Sequence, residues 1–464
     1  MSAFALDPQQ RAWCATLRTT AAERLRPLAE RGTPGRVNRP LVAALGDLGL
    51  LGRLFAGADA NDGADAATGA GTPARPGPRG EAAAGPGADP GTGTGSTVDP
   101  GAGPDPDRGT GPADAGGGNG PGRPDPTGSR TGDEGAPSAV RALDLCLLRE
   151  SLASQSTEAE TALALQGLGG YPVAQSGTPE QRARWLPEVV AGRAVAAFAL
   201  SESGAGSDAA ALALAARPVS AGRPGGTADG GATEWELTGE KCWISNAPEA
   251  DFYTVFARTT PGAGSRGITA FLVPADRPGL TGEPLEMLSP HPIGRLTFDA
   301  VPVTRADVLG EVDAGFKVAM RTLNLLRPSV GAFAVGMADQ ALGLALNHAR
   351  RRTAFGGVLR DLQAVSHQLA EMATRTEAAR LLVYAAAHAY DTGQPDIARR
   401  SAMAKLLATE TAQYVVDAAV QIHGARALER GHPLEHLYRE VRAPRIYEGA
   451  TEVQRTIIAK ELYR

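Results

Sequence analysis

Two short stretches carry the residue types that hold a phosphorylated ring cofactor. Phe198-Ala-Leu-Ser-Glu-Ser-Gly-Ala-Gly-Ser-Asp208 follows an apolar run and turns through Gly204 and Gly206, where backbone N–H groups free of bulky side chains can approach a phosphate. Further along, Gly239-Glu-Lys-Cys-Trp-Ile-Ser-Asn246 sets an indole and a hydroxyl at the end of a predicted strand. Each has a plainer explanation when taken alone. Gly204, Gly206 and Ala209 formally satisfy the dinucleotide fingerprint, or simply make a glycine turn, and Trp243 by itself reads as a core residue. A Rossmann unit requires repeated βαβ units around the fingerprint, whereas here helix precedes it and β segments follow. A phosphate-friendly turn and an aromatic wall in one β region suit a flat, anionic cofactor such as flavin adenine dinucleotide (FAD).

Three more stretches lie nearer the C-terminus. Arg350-Arg-Arg-Thr-Ala-Phe-Gly356, followed by Gln363, is a basic run at a helix end, which either complements the helix dipole or binds phosphate through paired guanidinium bonds. In Gln421-Ile-His-Gly-Ala425, His423 reads as a satisfied packed histidine. In Arg445-Ile-Tyr-Glu-Gly-Ala-Thr-Glu-Val-Gln454, Thr451 and Gln454 read as a capping box, and Val453, Ile457, Ile458 and Leu462 supply the apolar face of a last helix. Glu448 then stands just ahead of a helix N-terminus, where a carboxylate complements the dipole.

These segments must be positioned by elements whose order is readable from periodicity. Asp7-Pro8 offers a cap and first-turn proline for an amphipathic helix to about Pro27, and a second helix covers Pro40 to Leu51. Leu143, Leu147, Leu148 and Leu152 fall at helical spacing, and Thr178-Pro179-Glu180-Gln181 is a capping box. Between Val195 and Leu309 short β segments take over (Trp235 and Leu237, Phe252 to Phe256, Ile268 to Val273, Leu296 to Phe298). From Asp313 the helical period returns: Leu323, Leu326, Val330, Phe333, Met337, Ala341 and Leu344 form one stripe. Leu362, Val365, Leu369 and Met372 mark a second helix, and Leu407, Thr411, Val415, Ala418 and Ile422 a third. The fold class is therefore α+β: a helical N-terminal domain (1–194), a small antiparallel β domain (195–309) and a C-terminal four-helix bundle (310–464). Gly57 to Pro137 interrupts the first as a long Gly/Pro/Asp-rich insert in which Val98 is the sole larger apolar residue. Ordering its roughly 80 residues would cost on the order of 100 kcal/mol with nothing to bury, so disorder is expected. Closing so long a loop costs only ~4 kcal/mol.

The glycine turn, the Trp243 segment, the arginine motif and the Glu448 loop together resemble the acyl-CoA dehydrogenase family over nearly the whole chain apart from the insert. The resemblance implies the same three-part architecture and FAD as cofactor. It sets Phe198, Leu200 and Ser201 against the flavin ring, Gly206 and Ser207 near the pyrophosphate, and Trp243, Ile244 and Ser245 beside the isoalloxazine. Serine at positions 201 and 245 replaces a frequent threonine and keeps the donor. Arg352 and Phe355, with Gln363, reach the adenine dinucleotide of a neighbouring subunit, which implies a homo-oligomer, dimer or tetramer. Gln421, Gly424, Ala425, Thr451 and Glu452 are further cofactor contacts, although Ala425 and Ala427 stand where glycine is frequent. Glu448 is the implied catalytic base that takes the α proton of an acyl-CoA thioester while hydride leaves the β carbon for flavin N5. The thioester oxygen is bonded by the backbone N–H of Glu448 and a ribityl hydroxyl. Ser207, Asn324, Arg327, Tyr447 and Gly449 fall at substrate-side positions. Some members carry the base on the first bundle helix, but Asn324-Leu-Leu-Arg-Pro328 offers no carboxylate there. Without the resemblance, Asn324 and Arg327 read as helix-surface polar residues beside Pro328. A dry slot raises the proton affinity of Glu448 and the helix N-terminus lowers it, and the sequence leaves that contest open.

Composition narrows the alternatives. The net charge of −5 is concentrated in the insert, with about a dozen acids against five arginines, and the rest is nearly neutral, which argues against a broad nucleic-acid surface. No apolar run of spanning length is expected, so no membrane partner. Asp7, Arg11, Arg18 and Glu23 interrupt any export pattern, giving a cytoplasmic expectation. Cys14, Cys146 and Cys242 are too widely spaced for a disulfide framework or a zinc site and read as packed thiols, and no metal is expected. Electrons are expected to leave through an electron-transfer flavoprotein. The same fold also serves an oxidase or a dehydrogenase acting on carrier-protein substrates. More remote readings are a catalytically silent scaffold whose insert binds partners, or a nicotinamide-linked enzyme.

Overall fold

The computed structural model describes residues 6–55, 140–219 and 234–463. All belong to one of the two compact units into which the chain divides, 1–62 with 137–464. The expected disorder of the 57–137 insert lies outside the described residues.

The first helix, α1 (Pro8–Thr20), starts where Asp7 and Gln10 cap each other, with Pro8 at the first turn. A π-helical turn (Ala21–Leu25) carries it into α2 (Arg26–Ala29). The next helix, α3 (Arg39–Asp47), ends earlier than expected, and Gly49 follows with φ +69°. Beyond the insert come α4 (Ala142–Ala153), α5 (Thr157–Ser176) and α6 (Pro179–Val190), the last begun by the expected Thr178–Gln181 box.

Seven strands form one sheet: β1 (Ala196–Ala199), β2 (Ala215–Pro218), β3 (Trp235–Ser245), β4 (Phe252–Arg258), β5 (Ile268–Pro274), β6 (Leu280–Pro284) and β7 (Ile293–Val303). Their order is β1-β4-β2-β3-β7-β6, with β5 on β4. The β3–β7, β4–β5, β6–β7 and β2–β3 pairs are antiparallel as expected. Both β1 and β2 join β4 in parallel, Ala196 opposite Phe252 and Ala215 opposite Arg258. The parallel contacts carry the chain from β1 through the glycine turn and back to the same sheet.

The bundle consists of α7 (Gly315–Arg351), α8 (Gln363–Asp391) and α9 (Ile397–His423), with a small hairpin of β8 (Thr353–Ala354) and β9 (Gly357–Val358) between the first two. Two shorter helices, α10 (Pro433–Glu440) and α11 (Thr451–Leu462), pack on α9. Phe333, Met337 and Ala341 of α7, Met372 and Val383 of α8, and Ala408 and Val415 of α9 share one core with Cys146 and Leu147 of α4 and Cys14 of α1. The N-terminal helices thus complete the bundle's packing. All three cysteines are free and buried, as read from their spacing. By length and composition α7 can span a bilayer, contrary to expectation, but 67% of its most apolar window is buried within the protein. Its alanines add apolar character, and its alanines and glycines serve close helix packing.

The start of α7 abuts the sheet. Phe316, Met320 and Leu323 pack on a cluster containing Phe198, Leu200, Phe252 and Phe256, and a Cβ at Gly315 would lie 2.3 Å from the Ala270 backbone nitrogen. Farther along, a Cβ at Gly336 would stand 2.6 Å from the Ala153 Cβ and the Glu150 carbonyl oxygen of α4. Gly336→Val should therefore force α4 from α7 and cost about 1 to 3 kcal/mol, read as a lowered Tm with flavin binding as a check on the native fold.

Candidate functional site

On the sheet, two side chains and one backbone bond hold the glycine-turn and Trp243 segments against each other. Lys241 of β3 donates to the Leu200 carbonyl (2.9 Å) and to Glu202 Oε1 (2.8 Å), and the Cys242 backbone N–H donates to the Ser201 carbonyl (3.0 Å). Glu202 also accepts from the backbone N–H groups of Ala213 (2.6 Å) and Leu214 (2.9 Å), closing the intervening loop on itself. Burial lowers the Lys241 pKa to about 8, against the pull of Glu202. Gly206 and Ser207 lie exposed on this loop, and nothing lies within 4 Å of where a Cβ of Gly204 or Gly206 would be. That leaves open backbone of the kind a pyrophosphate requires.

The β3–β7 register slips between Lys241 and Ile244. Within that bulge Trp243 takes φ +58° and stands 47% exposed, so the indole faces outward instead of joining the core. Ile244 is buried in the sheet core, so its side chain is not presented to a ligand, while Ser245 is partly exposed. The Phe198 ring lies 4.9 Å from that of Phe256, tilted by 57°, and Leu200 is buried in the cluster they share. An outward indole, an open glycine loop and adjacent hydroxyls from Ser201 and Ser245 fit FAD.

The second group surrounds Glu448. This residue has φ +50° and Gly449 φ +90°, so the loop ahead of α11 runs through left-handed backbone that costs a non-glycine residue energy. The loop is clamped from α9 and α11. Lys405 Nζ donates to the Gly449 carbonyl (2.7 Å), and Gln454 Nε2 donates to the carbonyls of Gly449 (2.8 Å) and Glu448 (3.3 Å). Thr451 donates to Glu410 Oε1 (2.8 Å), and Arg445 pairs with Glu410 Oε2 (2.9 Å). The expected Thr451–Gln454 capping box does not form. The N-cap is Ala450, which has no side-chain acceptor, and both polar side chains are used to fasten the loop.

Glu448 Oε2 is buried without a hydrogen-bond partner. Burial raises its pKa, opposed by Arg149, Arg327 and Lys405, so desolvation prevails over the three cations. Arg327, 7% exposed, bonds Asn324 Oδ1 (3.1 Å) and has a buried, unpartnered Nε. It lies one helical turn, ~6 Å, beyond Leu323, which packs, as Phe198 does, against the sheet cluster that includes Leu200. One helix thus carries both Arg327 and the turn that meets the sheet cluster. Tyr447, 36% exposed, feels the charges of Glu160, Arg149, Glu448 and Glu440. Glu452 is exposed on the first turn of α11.

A third group gathers at the opposite end of the bundle. Arg352 and Gln363 are exposed at the end of α7 and the start of α8, and Phe355 is 94% exposed at the hairpin tip, with φ +55°. Gln421, Gly424 and Ala425 are exposed at the end of α9. His423 stacks on His348 at 4.1 Å and bonds the Ala419 carbonyl (2.8 Å), which ties the two helix ends together and satisfies the histidine as read. A groove of about 880 Å³ on the outer face of α8, α9 and α10 is lined by none of the predicted site residues.

Sequence reasoning missed Arg149, Glu160, Lys405 and the Lys241–Glu202 pair. The available signal was a charge within an apolar helix, as in Leu147-Leu148-Arg149 or Ala404-Lys405-Leu406, because buried ions require partners.

An orphaned carboxylate on a clamped loop, together with an outward indole and an open glycine loop on the sheet, defines a flavin-dependent dehydrogenase class of site. The chain matches the N-terminal, middle and C-terminal domains of the acyl-CoA dehydrogenases over residues 132–193, 197–301 and 313–463. It is 36% identical over 336 residues to a Mycobacterium tuberculosis protein named "Probable acyl-CoA dehydrogenase FadE25", covering 72% of this chain and 82% of that one. Butyryl-CoA dehydrogenase from Megasphaera elsdenii superposes with a TM-score of 0.74 at 27% identity, covering 99% of this chain and 100% of that one. A chain solved in work on the electron transferring flavoprotein of Acidaminococcus fermentans gives 0.75 at 26% identity, covering 99% of both. The protein belongs to the acyl-CoA dehydrogenase family and is an FAD-dependent oxidoreductase.

The raised pKa of Glu448 has a stability consequence. In the native state this carboxyl holds its proton more tightly than in the unfolded chain, so its contribution is complete below about pH 4.5 and is lost as pH rises through the higher native value. Glu448→Gln should raise Tm at pH 8, with the gain shrinking toward pH 4.5. Melting curves across that range would expose the opposite trend if the group were instead stabilised as a carboxylate.

Proposed function

We propose that the protein desaturates an acyl-CoA thioester between its α and β carbons, with Glu448 as the base that takes the α proton. The observation that carries this reading is the Glu448 carboxylate, whose Oε2 is buried and unpartnered on a strained, clamped loop. A carboxylate of raised proton affinity is a stronger base than one in water, and positioning it in line typically contributes ~10²- to 10⁴-fold. Lys405 and Gln454, by gripping the loop carbonyls, prevent the carboxylate from swinging away. The backbone N–H of Glu448 is the donor assigned to the thioester oxygen, where charge grows as the proton leaves. Asn324 and Arg327 hold the polar arm of the substrate, supported by the buried, unpartnered Arg327 Nε. Bound FAD supplies the acceptor for the hydride that leaves the β carbon. Phe198, Ser201, Trp243 and Ser245 would hold its ring, and the loop through Gly206 and Ser207 its phosphates.

Release of the electrons to an electron-transfer flavoprotein is supported by the likeness to the chain solved in the Acidaminococcus work. The near-complete exposure of Phe355 and the exposure of Arg352 support their reaching a second copy of the chain.

Glu448→Gln should retain flavin yet reduce it at least ~100-fold more slowly on anaerobic addition of substrate, chosen from a panel of acyl-CoA and acyl-carrier-protein thioesters. Near-normal bleaching in that variant would remove Glu448 from its role. Reoxidation of the reduced wild type faster by dioxygen than by electron-transfer flavoprotein would identify an oxidase instead.

A further inference from the structure

Lys241 is wholly buried, and Glu202 beside it is 7% exposed. Exchanging such a pair for apolar residues of similar volume often leaves stability unchanged or improves it, so sheet strength alone does not account for an ammonium here. What the ammonium adds is direction, because its donors must meet acceptors. Lys241 Nζ reaches the carbonyl of the residue before Ser201 (2.9 Å) and the carboxylate of the residue after it (2.8 Å), while Cys242 donates its backbone N–H to the Ser201 carbonyl (3.0 Å). Ser201 is thus gripped from both sides and stands partly exposed between two buried neighbours, Leu200 and Glu202. The grip starts two residues ahead of Trp243, where the β3–β7 register slips, and four ahead of Ser245. Glu202 carries the hold into the glycine loop. Its backbone exchanges bonds with Ala205 (3.1 and 3.2 Å), and its carboxylate accepts from the Ala213 and Leu214 N–H groups at the far end. Arg258 of β4 fastens the stretch between by donating to the carbonyls of Ala210 (2.8 Å) and Leu212 (3.0 Å).

We infer that Lys241 and Glu202 are positioning residues for FAD: the ammonium sets Ser201 against Trp243 and Ser245 at the ring, and the carboxylate sets the glycine loop at the phosphates. The inference rests on the cradle proposed above for the cofactor. It has a signature that a merely structural ion pair lacks. Replacing both charges together leaves no buried ion unpaired, so the fold recovers, yet the bridge from Lys241 to the Leu200 carbonyl is still gone. Stability and affinity for FAD must therefore come apart.

The test is titration of the full-length protein, stripped of flavin, with FAD by quenching of flavin fluorescence, alongside the Tm of the flavin-free protein. Lys241→Met should weaken FAD binding at least ~10-fold, the scale of one lost bond to a charged group, and should lower Tm because Glu202 is left unpaired. In the double variant Lys241→Met/Glu202→Gln, Tm should recover toward the wild-type value while FAD binding stays at least ~10-fold weaker. The double variant also carries the test if the single one fails to fold. Gly336→Val, which acts on the α4–α7 contact away from the sheet, should lower Tm with FAD affinity intact. FAD affinity that is unchanged in Lys241→Met, or that follows Tm across these variants, would overturn the inference. Trp243→Ala tests the cradle separately. Wild-type affinity there removes the cradle and the inference with it, whereas weakened binding there beside unchanged binding in Lys241→Met sinks the inference alone.

Discussion

Holding a carboxylate in a place with little water and no hydrogen-bond donor for one oxygen runs against the solvation preference of the group, and the surrounding helices are arranged to sustain it. Isolated ions buried in this way ordinarily recover a proton or find a partner. Here the charge is opposed from three helices, α4, α7 and α9, none of which donates to Oε2. The backbone contributes by occupying left-handed conformations at both Glu448 and Gly449, and a Cβ at Gly449 would meet Gln454 Nε2 at 2.5 Å. The clamp therefore needs glycine at that point, and a more relaxed loop would let the carboxylate reach solvent.

The cofactor cradle is built with comparable means. Glu202 and Lys241 are buried together, at a desolvation cost that such a pair recovers only through good geometry and additional bonds. Those bonds exist: Glu202 accepts from two backbone N–H groups, and Lys241 reaches the Leu200 carbonyl. The pair stitches the end of β1 to the middle of β3. The open glycine loop and the bulged indole consequently have fixed positions on one sheet.

What relates the two halves of the site is the long helix α7. Its first turns pack Phe316, Met320 and Leu323 on the sheet cluster, its middle supplies Arg327 and Ser329, and its last turns lead to the exposed Arg352. Pro328 sits within it without ending it. Proline removes one intrahelical bond at that point, freeing the Asn324 carbonyl where the polar side chains cluster. Removing the N-terminal helices from consideration would leave α7 with an exposed flank, because α4 both fills the core beside it and delivers Arg149 to its Ser329.

Local signals in the chain were sufficient for the order of elements, for the capped starts of α1 and α6, and for the segments around Trp243 and Glu448, because periodicity, caps and glycine turns act over a few residues. The sequence also placed the carboxylate ahead of a helix. It could not decide whether that helix or desolvation governs its proton, since the answer depends on how much water remains after distant segments pack. Nor could it assign partners to Arg149, Glu160 and Lys405, whose charges look anomalous in apolar helices until α4, α5, α7 and α9 meet. The misread capping box has the same origin: a threonine and a glutamine at cap spacing found stronger acceptors in Glu410 and the Glu448–Gly449 carbonyls. Spacing along a chain specifies which bonds are locally available, and only the tertiary arrangement decides which of them outcompete the rest.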